Sequence, residues 1–233
     1  MYQYCLFDLD GTLTDSREGI TKCVQYALRH YGIEEPDLSK LECFIGPPLV
    51  DSFMEFYHFS EEQAWEASHI FQQRFIPIGA YENKVFPGVP EMLQKMKEQG
   101  IRIAIASSKP EVSVRKILEH FELDQYFDVI VGSAPDGSHG AKEEIVERAL
   151  SDIGVQALSD EDRFSQCAMI GDRRFDIIGA KQHGVTAIGV RFGFADEGEL
   201  EEAGADIIVD SMEDLQKLLL QDTNVRKNEN TEG

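Results

Sequence analysis

From Val85 onward, short apolar runs and helical stretches take turns, and this alternation limits the fold more than any other feature of the 233-residue chain. Residues 90–99 place Met92, Leu93 and Met96 on one helical face and stop at Gly100. Residues 101–106 form an apolar strand, 111–121 a helix, 127–131 a strand, and 142–153 a helix closed by Gly154. Strand 168–170, helix 175–183, strand 186–192, short helix 197–203, strand 206–209 and helix 212–220 continue the series. Parallel strands need a crossover, and a helix is the usual one. The pattern therefore predicts an α/β fold: a doubly wound, mainly parallel, Rossmann-like sheet with helices on both faces.

The first strand departs from this pattern. Tyr4-Cys5-Leu6-Phe7 is apolar enough to be buried, but no single crossover helix follows it. Instead, residues 19–31 (apolar at Ile20, Val24, Ala27 and Leu28), 49–57 and 64–75 all have helical character. An excursion this long is read as a small α-helical domain at 15–82, inserted into a core of 1–14 and 83–221. Residues 222–233 are polar and without apolar period, so a disordered tail is expected there. Gly46-Pro47-Pro48 breaks the insert's helices. It is either a connector or a specificity loop that reaches toward a site.

The groups at the strand ends carry the chemistry. Asp8-Leu9-Asp10-Gly11-Thr12 follows the first strand directly. Two carboxylates about 4 Å apart repel by on the order of 4 kcal/mol at a surface-like effective dielectric, which a cation or a shared proton offsets. Ser107-Ser108-Lys109 ends one further strand, and Gly132-Ser133 ends another, with Lys142 opening the next helix. Gly171-Asp172 ends a fourth, with Asp176 one helical turn later. Ligands of open α/β sheets bind at the carboxyl ends of the strands. Acid, hydroxyl, ammonium and acid there suit phosphoryl transfer, which needs a nucleophile, charge neutralisation and a proton donor. Asp8, held at the strand terminus, is the candidate nucleophile, and Asp10 the candidate acid–base group. Lys109 competes with Lys142 for the cationic role, although Pro110 directly after it suggests an outward-facing side chain.

These segments resemble the haloacid dehalogenase superfamily, specifically its phosphatases, from Tyr4 to about Leu220. The family's Asp-x-Asp-Gly-Thr motif corresponds to Asp8, Asp10, Gly11 and Thr12. Its strand-ending hydroxyl corresponds to Ser107, its helix-opening lysine to Lys142, and its closing acid pair to Asp172 and Asp176. The resemblance implies catalysis by Asp8, Asp10 and Lys142 through an aspartyl-phosphate, and phosphate held by Ser107, Ser108 and Lys142. It also implies a helical cap between the first two motifs. An oxygen-only donor set suits Mg²⁺, with Asp8, Asp172 and the Asp10 carbonyl as ligands. Asp176 is either a ligand, direct or through water, or a helix-capping acid. The loop at 132–142, Gly46-Pro47-Pro48 and Arg173-Arg174-Phe175-Asp176 resemble the 5′-nucleotidase-like branch. The overall layout also resembles phosphoglycolate phosphatases. A sugar phosphomutase ranks lower. A phosphorylated signalling switch ranks lowest, since such receiver domains have about half this length and no cap.

Composition restricts the partners. Lysine plus arginine total 22 against 43 acids, a net charge of −21. That balance argues against nucleic acid or an anionic membrane, and it means that the expected partner, a small phosphorylated metabolite, must be met by a local positive site within a negative field. Arg29, Arg74 and Lys22 in the insert are candidates for contact with a second anionic group, while Trp65, His58 and His69 read as surface or packing residues. No apolar run is long enough to span a bilayer, and none reads as a secretion signal. Cys5, Cys23, Cys43 and Cys167 have no metal-binding spacing; Cys5 and Cys167 fall within strands, and the set suits a reducing cytoplasm.

Overall fold

A computed structural model of the chain describes residues 2–135 and 138–220, so the expected tail lies outside the described residues. Six strands form one parallel sheet: β1 (Tyr4–Phe7), β4 (Arg102–Pro110), β5 (Val129–Ser133), β6 (Cys167–Gly171), β7 (Thr186–Val190) and β8 (Ile207–Val209). Their order is β5-β4-β1-β6-β7-β8. The N-terminal strand is therefore central, paired with β4 from Tyr4↔Arg102 to Phe7↔Ile105 and with β6 from Tyr4↔Cys167 to Phe7↔Ile170. This arrangement bears out the doubly wound α/β reading.

Alternation along the strands divides the core in two. Cys5, Phe7, Ile103, Ile105, Ala168, Ile170, Ile188 and Val190 point to one face. There they meet α4 (Val89–Glu98), α5 (Glu111–His120) and α10 (Met212–Leu219) through residues such as Met92, Leu93, Ile117 and Leu215. Leu6, Ala104, Ala106, Cys167, Met169 and Ala187 point to the other. They meet α6 (Lys142–Ile153) and α8 (Arg174–Gln182) through Ile145, Val146, Ala149 and Ile177. The small Ala104 and Ala106 leave room for α6 to approach β4.

The helical excursion consists of α1 (Arg17–His30), a 3₁₀ segment (Leu38–Phe44), α2 (Leu49–Tyr57) and α3 (Glu61–Phe75). Ser60 and Gln63 form a reciprocal capping box that starts α3. The chain enters and leaves the excursion through two short antiparallel strands, β2 (Thr14–Asp15) and β3 (Lys84–Val85). Glu82 braces this crossing, accepting from Arg74 at 2.7 Å and from Lys22 at 3.1 Å. Apolar residues of the excursion, including Ile20, Leu28, Phe44, Phe53 and Phe71, join the same cluster as one face of the sheet.

Three local features differ from expectation. Helix α7 (Asp160–Gln166) escapes the periodicity reading, because its seven residues carry no apolar stripe; its cues are Ser159, whose side chain accepts from the Asp162 N–H, and the acids of its first turn. The 3₁₀ segment is likewise too short for a period to show. Strand β4 runs beyond Ala106 to Pro110, with a register shift against β5 over that stretch. Close packing at the crossing is tightest at Gly19, where an added Cβ would lie 2.1 Å from the Gly79 carbonyl oxygen and 2.9 Å from that of Glu82. Both obstacles are backbone, so Gly19→Ala should cost about 2–3 kcal/mol of unfolding free energy, measured by urea denaturation; an unchanged midpoint would show that the crossing can relax.

Candidate functional site

Asp8 is the first residue past β1, and its N–H still donates to the Ile170 carbonyl at 2.9 Å, so its backbone continues the sheet. The chain then turns sharply: the Leu13 and Thr14 N–H groups both donate to the Leu9 carbonyl at 3.0 Å. Gly11 makes this turn possible at φ +86°, a left-handed conformation that side chains other than glycine's rarely tolerate. A Cβ there would also lie 2.0 Å from Asp172 Oδ2. The neighbouring strand β6 ends in Gly171, where a Cβ would overlap the Asp176 carboxyl at 2.1 Å. Backbone without side chains thus makes space for two carboxylates.

Asp8, Asp172 and Asp176 converge there, each with a carboxylate oxygen within 4.8 Å of the others. All three are buried, Asp172 completely. Asp172 Oδ2 accepts from the Phe194 N–H at 2.8 Å, and its Oδ1 takes a long contact of 3.5 Å from the Thr12 hydroxyl. Asp176 does two things: Oδ2 accepts from the Arg173 N–H at 3.0 Å, capping α8, while Oδ1 lies 2.8 Å from Lys142 Nζ. Lys142 opens α6 and reaches back over Ala106. Its ammonium meets Asp8 Oδ1 at 2.6 Å, Asp176 Oδ1 at 2.8 Å and the Ala106 carbonyl at 2.9 Å. Hydrogen bonds join it to Asp8 and the Ala106 carbonyl, and an ion pair joins it to Asp176.

The charge balance of this cluster favours a cation. Burial raises the Asp8 pKa to about 6, with Asp176 and Asp10 adding to the rise and Lys142 opposing it. Burial, then Asp176 and Asp8, hold Asp172 well above the ordinary carboxylate range. Burial alone would lower the Lys142 pKa, but Asp176 and Asp8 outweigh it and raise it above the usual ammonium value. One ammonium among three close carboxylates leaves the ionised cluster two charges negative. Its free donors are all oxygens, which suits a hard divalent ion such as Mg²⁺.

Asp10 faces a different partner. Its Oδ2 lies 3.0 Å from Lys109 Nζ, while Oδ1 is buried without a hydrogen-bond partner among the described residues. Lys109 does not point outward as its position before Pro110 suggests: its side chain is only 9% exposed, with the ammonium 4.2 Å above the Phe75 ring of α3. The extension of β4 to Pro110 turns it inward. Ser107 is buried, and its Oγ accepts from the Lys109 N–H at 3.3 Å; Ser108 is half-buried beside it.

These residues form one end of a cavity of about 770 Å³. Asp8, Asp10, Ser107, Ser108, Lys109 and Lys142 line it from the strand ends. Gly46, Pro47, Pro48, Trp65, His69 and Gln72 line it from the helical excursion. Gly46 also touches the sheet side: Arg173, next to Asp172, donates to the Ile45 carbonyl at 2.6 Å and pairs with Glu199 at 2.9 Å. Arg29, Arg74 and Lys22 are absent from the cavity wall and are paired with Glu34, Glu82 and Glu18 respectively. Their sequence neighbourhood had no way to show this. Trp65 and His69, read as surface or packing residues, prove to lie on the wall.

Comparison with known proteins agrees with the fold. Residues 5–190 match the model of the haloacid dehalogenase-like hydrolase family. A 5′-nucleotidase of Pseudomonas aeruginosa is 49% identical over 199 residues, covering 85% of this chain and 87% of that protein. A phosphoglycolate phosphatase of Cupriavidus necator is 29% identical over 218 residues, covering 92% and 91%. The crystal structure of a predicted phosphatase from Clostridium acetobutylicum superimposes with a TM-score of 0.88 at 45% identity, covering 94% of this chain and 99% of that one. The match spans both flanks of the helical excursion and every strand from β1 to β7, and on that ground the chain belongs to the haloacid dehalogenase-like hydrolase family.

Proposed function

We propose that the chain is a Mg²⁺-dependent phosphatase that hydrolyses a small phosphomonoester through an aspartyl-phosphate on Asp8. The observation that carries this reading is the meeting of Asp8, Asp172, Asp176 and Lys142 at the cavity end of the two central strands. Bound there by Asp8 and Asp172, the Asp10 carbonyl and Asp176 directly or through water, Mg²⁺ would neutralise carboxylate and phosphate charge. An Asp8 oxygen attacks phosphorus as the bond to the leaving oxygen breaks. Asp10 gives that oxygen a proton, then takes one from the water that attacks the phosphorus of the aspartyl-phosphate; the bond from phosphorus to the Asp8 oxygen breaks, which releases phosphate and restores Asp8. The partnerless Asp10 Oδ1 supports this part. Lys142 aligns Asp8 and offsets charge, and Ser107 with Ser108 holds phosphate oxygens.

The helical excursion (15–82) serves as a cap domain over the core in this reading, with Gly46-Pro47-Pro48 as a loop that touches substrate. The 49% identical 5′-nucleotidase supports a nucleoside 5′-monophosphate as substrate. No helix among the described residues is long and apolar enough to cross a membrane. Free cysteines, three of the four buried, fit a cytoplasmic enzyme.

Asp8→Asn should lower turnover of p-nitrophenyl phosphate on the order of 10⁴-fold or more without changing the far-ultraviolet circular dichroism; retained turnover removes Asp8 from the nucleophile role. Asp10→Asn should cost on the order of 10²- to 10⁴-fold. That loss should be larger for an alkyl phosphate, whose leaving oxygen needs the proton, than for p-nitrophenyl phosphate; equal losses would deny Asp10 its acid role.

Metal binding should depend on pH in a definite direction. The Asp8 pKa rises from 3.8 to about 6 on folding. Its contribution to stability is therefore full below 3.8 and is lost as pH rises through about 6. A cation needs the ionised form. Added Mg²⁺ should thus raise Tm more at about pH 7.5 than at about pH 5, as scanning calorimetry would record; equal shifts would place the ion elsewhere.

A further inference from the structure

Helix α3 has two working faces. Ala64, Ala67, Ile70 and Phe71 are buried in the core of the helical excursion. Trp65, Ser68, His69, Gln72 and Ile76 recur at helical spacing on a different stripe, and all five line the cavity that holds Asp8. Trp65, Ser68 and Gln72 are half-buried there. The Gln72 amide has no hydrogen-bond partner among the described residues, so it presents both a donor and an acceptor to the cavity. His69 donates from Nδ1 to the Trp65 carbonyl at 2.7 Å. At the mouth, Met54, Ile76 and Val112 are exposed apolar side chains.

The charges on the wall are as informative. Its lysines and arginines among the described residues are Lys109 and Lys142, and each is already paired with an aspartate of the phosphate end. The helical excursion adds Asp51 and Glu61 to the wall, and Glu143 follows Lys142 on it. A substrate with a second anionic group would meet acids there and no counter-charge. The volume of about 770 Å³ is that of a pocket for a ring-bearing ligand rather than a two-carbon acid.

We propose that the group esterified to phosphate carries an uncharged, flat heteroaromatic ring that stacks on Trp65 and is read along its edge by Gln72, and that esters with a second anionic group are rejected. This rests on the phosphatase reading above and adds to it a ring-binding site on α3. Stacking of one base on an aromatic side chain contributes roughly a 5- to 150-fold effect.

The test uses the full chain with Mg²⁺ and compares kcat/KM for a nucleoside 5′-monophosphate, ribose 5-phosphate, phosphoglycolate and p-nitrophenyl phosphate. The nucleoside monophosphate should exceed ribose 5-phosphate, the same alcohol without the ring, by about 10-fold or more, and phosphoglycolate by about 100-fold. Trp65→Ala should cut the ratio of nucleoside monophosphate to ribose 5-phosphate about 10-fold, mainly through KM, and Trp65→Phe should restore most of it. Gln72→Ala should change the preference among bases. Phosphoglycolate turned over as well as the nucleotide, or a ratio indifferent to Trp65→Ala, would overturn the ring site while leaving the phosphatase standing. No phosphate release from any of the four esters would sink both.

Discussion

Three buried carboxylates crowd together with one ammonium that pairs with two of them, and the architecture around them exists at the cost of that crowding. Each carboxylate is held in place by something other than its neighbours. Asp8 continues a strand, Asp172 accepts from the Phe194 N–H, and Asp176 caps a helix. Lys142 then ties two of them together from a helix that begins 134 residues beyond Asp8. Repulsion among like charges at this spacing is offset only if the surrounding backbone does not yield. Central strands hydrogen-bonded on both sides provide that resistance.

The same constraint explains the small residues. Gly11 and Gly171 give up side chains where carboxylates must sit, and Ala104 and Ala106 let α6 lie close enough for Lys142 to reach the Ala106 carbonyl. The opposite face of the sheet is built from Phe7, Ile103, Ile105 and Ile170 instead, since nothing there has to approach. Function and packing thus draw on the two faces of one sheet in different ways. Arg173 extends the arrangement outward, linking the loop that bears Asp172 to Ile45, just before Gly46-Pro47-Pro48. Any shift of that loop is mechanically coupled to the acid cluster through one side chain.

What could be read in advance was whatever local sequence encodes. Asp8, Ser107, Lys142, Asp172 and Asp176 each stand at the end of an apolar run or the start of a helix, positions that parallel strands bring to one edge of the sheet. Sequence allows Asp176 to be a metal ligand or a helix cap, and its two oxygens face different partners. The inward direction of Lys109 has no local signature because it depends on Asp10 and on Phe75, which arrive from other segments. Arg74 and Lys22 looked available until Glu82 was seen between them. The second face of α3 had no visible purpose, since Trp65 and Gln72 acquire meaning only from the cavity opposite.

Sequence by itself determined the alternation of strands and helices, the long helical interruption after the first strand, and the order in which acids, hydroxyls and the lysine fall at strand ends. These follow from hydrophobic period and turn chemistry, which act over a few residues. Tertiary structure alone decided which cations are spent on internal partners and which face the cavity, and which side of α3 looks toward Asp8. Such choices depend on distances between segments remote in the chain, and charge pairing and burial have no local signature from which to infer them.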